Sequence, residues 1–194
     1  MKIRTAVVAS LLSVLALTTA LVVPAGSAQP VAHAQSTGHA QIFLKLPDIN
    51  GTATVKGFEK QIELSSLAFS VNRGGASAGG GAGRGKPVPT DFTLGKAVDT
   101  TSPVLFQTAA TGKALPSAVI TVVNGTPGAG PTARTIYRLS DVSINSVQTS
   151  TPAGGAPAEV VSLGFSKLEI EVSSANGKDP AVRAGYDFAK NVSF

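Results

Sequence analysis

Ile62-Glu63-Leu64-Ser65-Ser66-Leu67-Ala68-Phe69-Ser70-Val71 is the stretch on which the fold turns. Ile62 and Leu64 share one parity, whereas Leu67, Phe69 and Val71 share the other. Side chains alternate between faces along a strand, so a one-residue switch at Ser65-Ser66 would turn the strand inside out. A β-bulge or sharp bend there keeps both apolar sets on the inside. The same switch recurs late in the chain, with Val161, Leu163 and Phe165 set against Leu168, Ile170 and Val172. Two long, bent strands are what a closed or strongly coiled sheet requires.

Working outward, strand follows strand, punctuated by Gly, Pro, Asn and Asp. Ile42, Leu44 and Leu46 alternate and run into the turn Pro47-Asp48-Ile49-Asn50-Gly51. Residues 117–123 are rich in β-branched side chains, and residues 133–147 form another long extended run. The loop sequence Asn124-Gly125-Thr126-Pro127-Gly128-Ala129-Gly130-Pro131 between them predicts a hairpin. Residues 150–157 make a second loop and Asn176-Gly177-Lys178-Asp179-Pro180 a turn, before a last strand from Val182 to about Val192. One segment breaks the pattern. Ser102 fits a helix N-cap, Pro103 the first helical position, and Gly112 the stop, with Lys113 beside the carbonyl end. Leu105, Phe106, Ala109 and Ala110 give this short helix an apolar side that must pack on the sheet. Residues 73–87 read as a flexible Gly-rich loop, since residues 74–86 carry seven glycines and almost nothing to bury.

The start of the chain has the layout of an export signal. Lys2 and Arg4 precede an apolar run over residues 6–23, and Pro24 and small residues follow. Cleavage is expected after Ala34, or alternatively after Ala28, leaving residues 1–34 as signal peptide and residues 35–194 as one domain. The mature protein is then secreted or periplasmic, without stable membrane insertion. The net charge of +5 includes the two leader cations, and no basic cluster with interleaved aromatics occurs, so a nucleic-acid partner is not expected. There is no Cys, so the core must hold without disulfides.

Reactive motifs are sparse. Gly80 to Lys86 has phosphate-loop spacing, G-x-x-x-x-G-K, but Pro87 stands in place of the Ser or Thr that would hold magnesium, and the chain runs into Val88-Pro89, which cannot start the helix that should follow. A loop is the expected reading. His39 lies in a polar arm before the first strand, with no Cys and no neighbouring His to share a metal. Glu169 and Glu171 share a strand face, and alternation with Leu168, Ile170 and Val172 makes them the solvated side of a half-buried strand. Sequons at Asn50, Asn124 and Asn191 are of a kind that chance supplies readily in a Ser/Thr-rich chain. No catalytic, cofactor-binding or metal-binding residue is assigned, and no enzyme is expected.

Several segments, taken in order, carry a resemblance. They are Ile42-Phe43-Leu44-Lys45-Leu46 with Asp48-Ile49-Asn50-Gly51, residues 62–70, Asp91-Phe92-Thr93-Leu94, residues 99–105 and Ala110-Thr111-Gly112-Lys113. Leu139-Ser140-Asp141-Val142-Ser143-Ile144, residues 159–170 and Gly185-Tyr186-Asp187-Phe188 with Asn191 complete the series. In shared order and spacing they resemble the haemolysin-coregulated protein (Hcp) family, the tube-forming proteins of type VI secretion. The resemblance implies a mainly β fold, an Hcp-like β-barrel of two packed antiparallel sheets with one short α-helix. It further implies a structural role, self-association into sixfold rings, and secreted effectors or other secretion components as partners. The alternative is a monomeric secreted β-barrel that binds a ligand or a protein partner without a secretion role.

Overall fold

The computed structural model describes residues 40–73, 85–125, 133–174 and 179–194. The expected signal peptide, residues 1–34, and most of the Gly-rich stretch lie outside the described residues. The strands are β1 (Ala40–Lys45), β2 (Ile62–Leu64), β3 (Ser66–Ala68), β4 (Val71–Arg73), β5 (Pro87–Pro89) and β6 (Phe92–Ala97) before the helix α1 (Ser102–Thr111). After it come β7 (Leu115–Asn124), β8 (Ala133–Ser150), β9 (Ala158–Gly164), β10 (Lys167–Ser173), β11 (Val182–Asp187) and β12 (Val192–Ser193).

Both parity switches are bends that move a strand from one sheet to the other. β2 pairs with β1, whereas β3, one residue later, pairs with β6. Ser65 sits at the corner and donates its N–H to the carbonyl of Gly95 at 2.8 Å. At the second corner, Phe165-Ser166 separates β9, paired with β6 and the C-terminal half of β8, from β10, paired with the N-terminal half of β8. β8 bends beside it. Asp141 adopts a positive φ of 54°, and the register slips by one between Ile144 and Ser146, leaving Asn145 as a bulge.

Pairing then closes on itself, through β8, β7, β1, the bent β2–β3, β6, β9 and back to β8. All these ladders are antiparallel. The result is a barrel of two packed sheets sharing β8, with β10, β11 and β12 continuing one sheet beyond it.

Closure places every inward position. A single row of partners crosses six strands, Ala184–Ile170–Tyr137–Ile120–Leu44–Ile62. Leu67, Leu94, Val161 and Val147 form the facing row. Phe92 is fully buried at the centre, stacked on Phe69 at 4.3 Å and met edge-on by Tyr137 and Phe165. Such aromatic pairs add about 0.5–1.5 kcal/mol each beyond the area they bury.

Alternation fails at β1, for a reason that lies downstream. Phe43 points away from the barrel core yet is 1% exposed. Residues 50–61 fold back over the outer face of β1 and β7 and lay the Phe58 ring on Phe43 at 4.3 Å, with Ala53 and Val123 completing a second cluster. The loop is closed by Gly51 N–H to the Lys60 carbonyl at 2.8 Å and Ala53 N–H to the Gln61 carbonyl at 3.0 Å.

Three expectations change. The helix is capped at Thr101 rather than Ser102, and it buries Ser102, Leu105 and Thr108. Phe106 is 66% exposed and Ala110 is exposed, because the helix presents its Leu105 side to the barrel flank. Gly112 does end it, at φ 64°. The last segment is two strands, not one. Asp187 accepts the Lys190 N–H at 2.9 Å and Asn191 turns at φ 61°, so that β12 folds back on β11. The hairpin of β7 and β8 forms as the sequence predicts, with Asn124 opposite Ala133.

A Cβ at Gly51 would lie 2.1 Å from the carbonyl oxygen of Gln61. Gly51→Ala is therefore expected to lower unfolding free energy by about 1–3 kcal/mol, measured by urea denaturation; an unchanged midpoint would show that the loop is not seated as described.

Candidate interaction surface

The charged groups of the described residues work mainly between strands. Arg138 on β8 reaches Glu169 at 2.8 Å and Glu171 at 2.7 Å on β10, and Arg183 on β11 reaches Glu171 at 3.0 Å. Lys167 faces Asp187 at 3.7 Å in the same ladder. Glu169 and Glu171 do share one face, as expected, but they are not simply solvated. Each is held by Arg138, and Glu171 is largely buried beneath the two guanidinium groups. The hydrogen bond from Arg138, reinforced by both arginine charges, holds the Glu171 carboxyl below its ordinary pKa despite partial burial. Glutamates committed in this way are strand ties, not an acid/base pair.

A second constellation has its signal in the sequence, in strand parity. Lys96 follows Phe92 and Leu94 at the inward parity of β6, and Glu159 precedes Val161 and Leu163 at the inward parity of β9. The register sets Lys96 opposite Glu159. Both side chains are almost wholly buried, and Lys96 Nζ lies 3.1 Å from Glu159 Oε2.

The start of α1 supplies the rest. Lys96 also donates to Asp99 Oδ1 at 3.0 Å, to the Ala97 carbonyl at 2.7 Å and to Ser102 Oγ at 3.2 Å. Ser102 Oγ donates in turn to Glu159 Oε2 at 2.8 Å. Ser102, expected as the helix cap, thus serves this ion pair instead. Asp99 accepts the Thr101 N–H at 2.8 Å and the Thr101 hydroxyl. Burial pushes the Asp99 carboxyl up, but the bonds from Thr101 and Lys96 together outweigh it and leave it below its ordinary pKa.

The other sequence candidates do not converge. His39 and residues 80–84 of the phosphate-loop match lie outside the described residues. Lys86 is exposed, and Pro87 begins a strand, not a helix. Asn124 ends β7, and the Asn191 side chain accepts the Tyr186 hydroxyl at 2.8 Å. No group of three or more His, Cys, Asp or Glu is placed to hold a metal ion among the described residues, and no helix there is long and apolar enough to cross a membrane.

These elements define a closed antiparallel β-barrel with one flanking helix. The family model of the type VI secretion system effector Hcp matches residues 43–172. The chain belongs to this family, the structural tube component of type VI secretion. Among solved structures it is similar to Hcp1 from Salmonella typhimurium, at 27% identity and a TM-score of 0.67, covering 80% of this chain and 99% of that one. A second, described as a type six secretion system protein, is 22% identical with a TM-score of 0.70, over 80% of this chain and 100% of the other. Hcp1 from E. coli EAEC 042 is 19% identical with a TM-score of 0.62, over 77% and 98%. No curated protein sequence matches.

Lys96→Met alone, which leaves Glu159 buried without its cation, is expected to cost about 3–5 kcal/mol of stability. Lys96→Met with Glu159→Leu should recover most of that loss in a chemical-denaturation cycle. A carboxyl whose folded pKa lies below its unfolded one stabilises the fold above the unfolded value, and this contribution disappears as pH falls through the folded value. Asp99 and Glu171 both have this sign. Stability should therefore fall below about pH 4, and fall less steeply in Glu171→Gln, when unfolding midpoints are compared across acid pH.

Proposed function

We propose that the protein is an exported Hcp-like structural subunit that self-assembles into sixfold rings and carries or contacts secreted effectors. The reading rests above all on membership of the Hcp family over residues 43–172. Two further features support it. The sheet extension ends in a two-residue strand, β12, hydrogen-bonded to β11 on one side. Val172, Val182 and Phe194 leave apolar surface exposed on this extension. A patch of that kind meeting a different patch on the next copy gives a head-to-tail contact, the type that closes into rings.

Export is proposed from the leader. Residues 1–34 direct the chain across the membrane and are removed, so that residues 35–194 refold outside the cytosol.

Size-exclusion chromatography with multi-angle light scattering on the processed chain, at tens of micromolar, should give a closed multi-subunit mass. A strict monomer would overturn the ring and favour a secreted barrel that binds a ligand or partner alone. Intact-mass analysis of the exported protein should place its first residue at Gln35, or at Gln29 if the earlier site is used; retention of Met1 would remove the export reading.

A further inference from the structure

Where β10 and β11 run past the barrel, their inner face continues the core row through Ile170 and Ala184. The β4–β5 hairpin stands across from it, and a cavity of about 410 Å³ lies between them. Its floor is Leu168, Ile170 and Ala184, and its inner end is closed by the rings of Phe69 and Phe188. Val71 and Pro87 form the hairpin side. Tyr186 also lines it, but its hydroxyl is engaged with Asn191, so it offers the cavity its ring.

Arg73, at the end of β4, is the one charged residue of the lining among the described residues. Every ion pair among the described residues is made by another cation, so Arg73 has no carboxylate of its own there.

An apolar slot with a single unpaired guanidinium asks for a ligand with an apolar body and one anionic head. Cavities of about 300–1,000 Å³ are the usual size for small-molecule sites. At about 30 Å³ per water-sized group, this one takes about a dozen non-hydrogen atoms. We propose that the groove between the β4–β5 hairpin and β10–β11 binds a small amphipathic carboxylate, of the size of a medium-chain fatty acid. The tail lies on Ile170 and Ala184 against the Phe69 and Phe188 rings, and the carboxylate pairs with Arg73. Ile170 and Ala184 share their face with Val172 and Val182, so the ligand and a neighbouring copy seated on that patch would compete.

Isothermal titration of the purified protein with sodium decanoate tests it, against decyltrimethylammonium, a ligand with the same tail and the opposite charge. Decanoate should saturate at one per chain and bind at least about tenfold more tightly than the cation. Arg73→Gln, a change at an exposed position, should remove that preference. Ala184→Trp, which fills the slot, should abolish decanoate binding while circular dichroism remains that of the parent. Equal binding of the two ligands, or decanoate binding unchanged by Arg73→Gln, overturns the proposal. So does an oligomer that takes up no decanoate and is dissociated by Ala184→Trp, because the groove then belongs to a second copy.

Discussion

Lys96 and Glu159 impose the strictest demand on the structure. Two opposite charges at inward positions of neighbouring strands can be buried only if they meet, because an unpaired ion in such a place costs several kcal/mol. They meet in a single register of β6 on β9. A one-residue slip would carry the slipping strand's apolar side chains outward and separate the ions at the same time. The pair also reaches beyond the sheet. Ser102 and Asp99 belong to the start of α1, so the same network fixes where the helix lies on the barrel flank. A well-packed apolar pair could match its stability; what the ions add is a penalty on the wrong register.

With that register set, the corners determine the shape. Ser65 and Ser166 are small and polar, and each sits where a strand leaves one sheet for the other. The Ser65 amide is satisfied by Gly95 and the Ser166 amide by Ser140, so neither corner strands a backbone donor. Asp91 does related work from the side, accepting from Ser162 at 2.6 Å and from the bulged Asn145 at 2.8 Å, which ties β9 to the irregular part of β8. The barrel thus keeps its bends by hydrogen-bonding them.

The bends were legible because a period of two is geometric: a parity switch has few solutions, and both switches chose the same one. The existence of the helix was legible from Pro103 and Gly112, but its buried side only in part: Leu105 and Ala109 pack on the barrel, whereas Phe106 and Ala110 do not. Ten residues on a barrel flank are oriented by what they dock on, and Leu105 rather than Phe106 faces the barrel. The doubling back of the C-terminus depends on an Asp187 side-chain bond and an Asn191 turn within a run that otherwise reads as extended. Lys96 and Glu159 carried their signal openly, as charges at apolar parity on two strands; only the pairing of those strands turns the two exceptions into one interaction. The Glu169–Glu171 face was readable as a face, whereas its arginine partners come from β8 and β11 and needed the sheet order.

The loop over residues 50–61 carries a consequence for the chain before it is folded. A strand that is dry on both sides must be apolar on both sides, and Ile42-Phe43-Leu44 is. Short segments of that kind, with high strand propensity and little charge, are the ones that stick to copies of themselves when uncovered. Phe58 is the group that covers Phe43 from outside. The loop therefore acts as a built-in guard for the first strand: the sooner it closes, the shorter the time in which one unfolded chain can capture another.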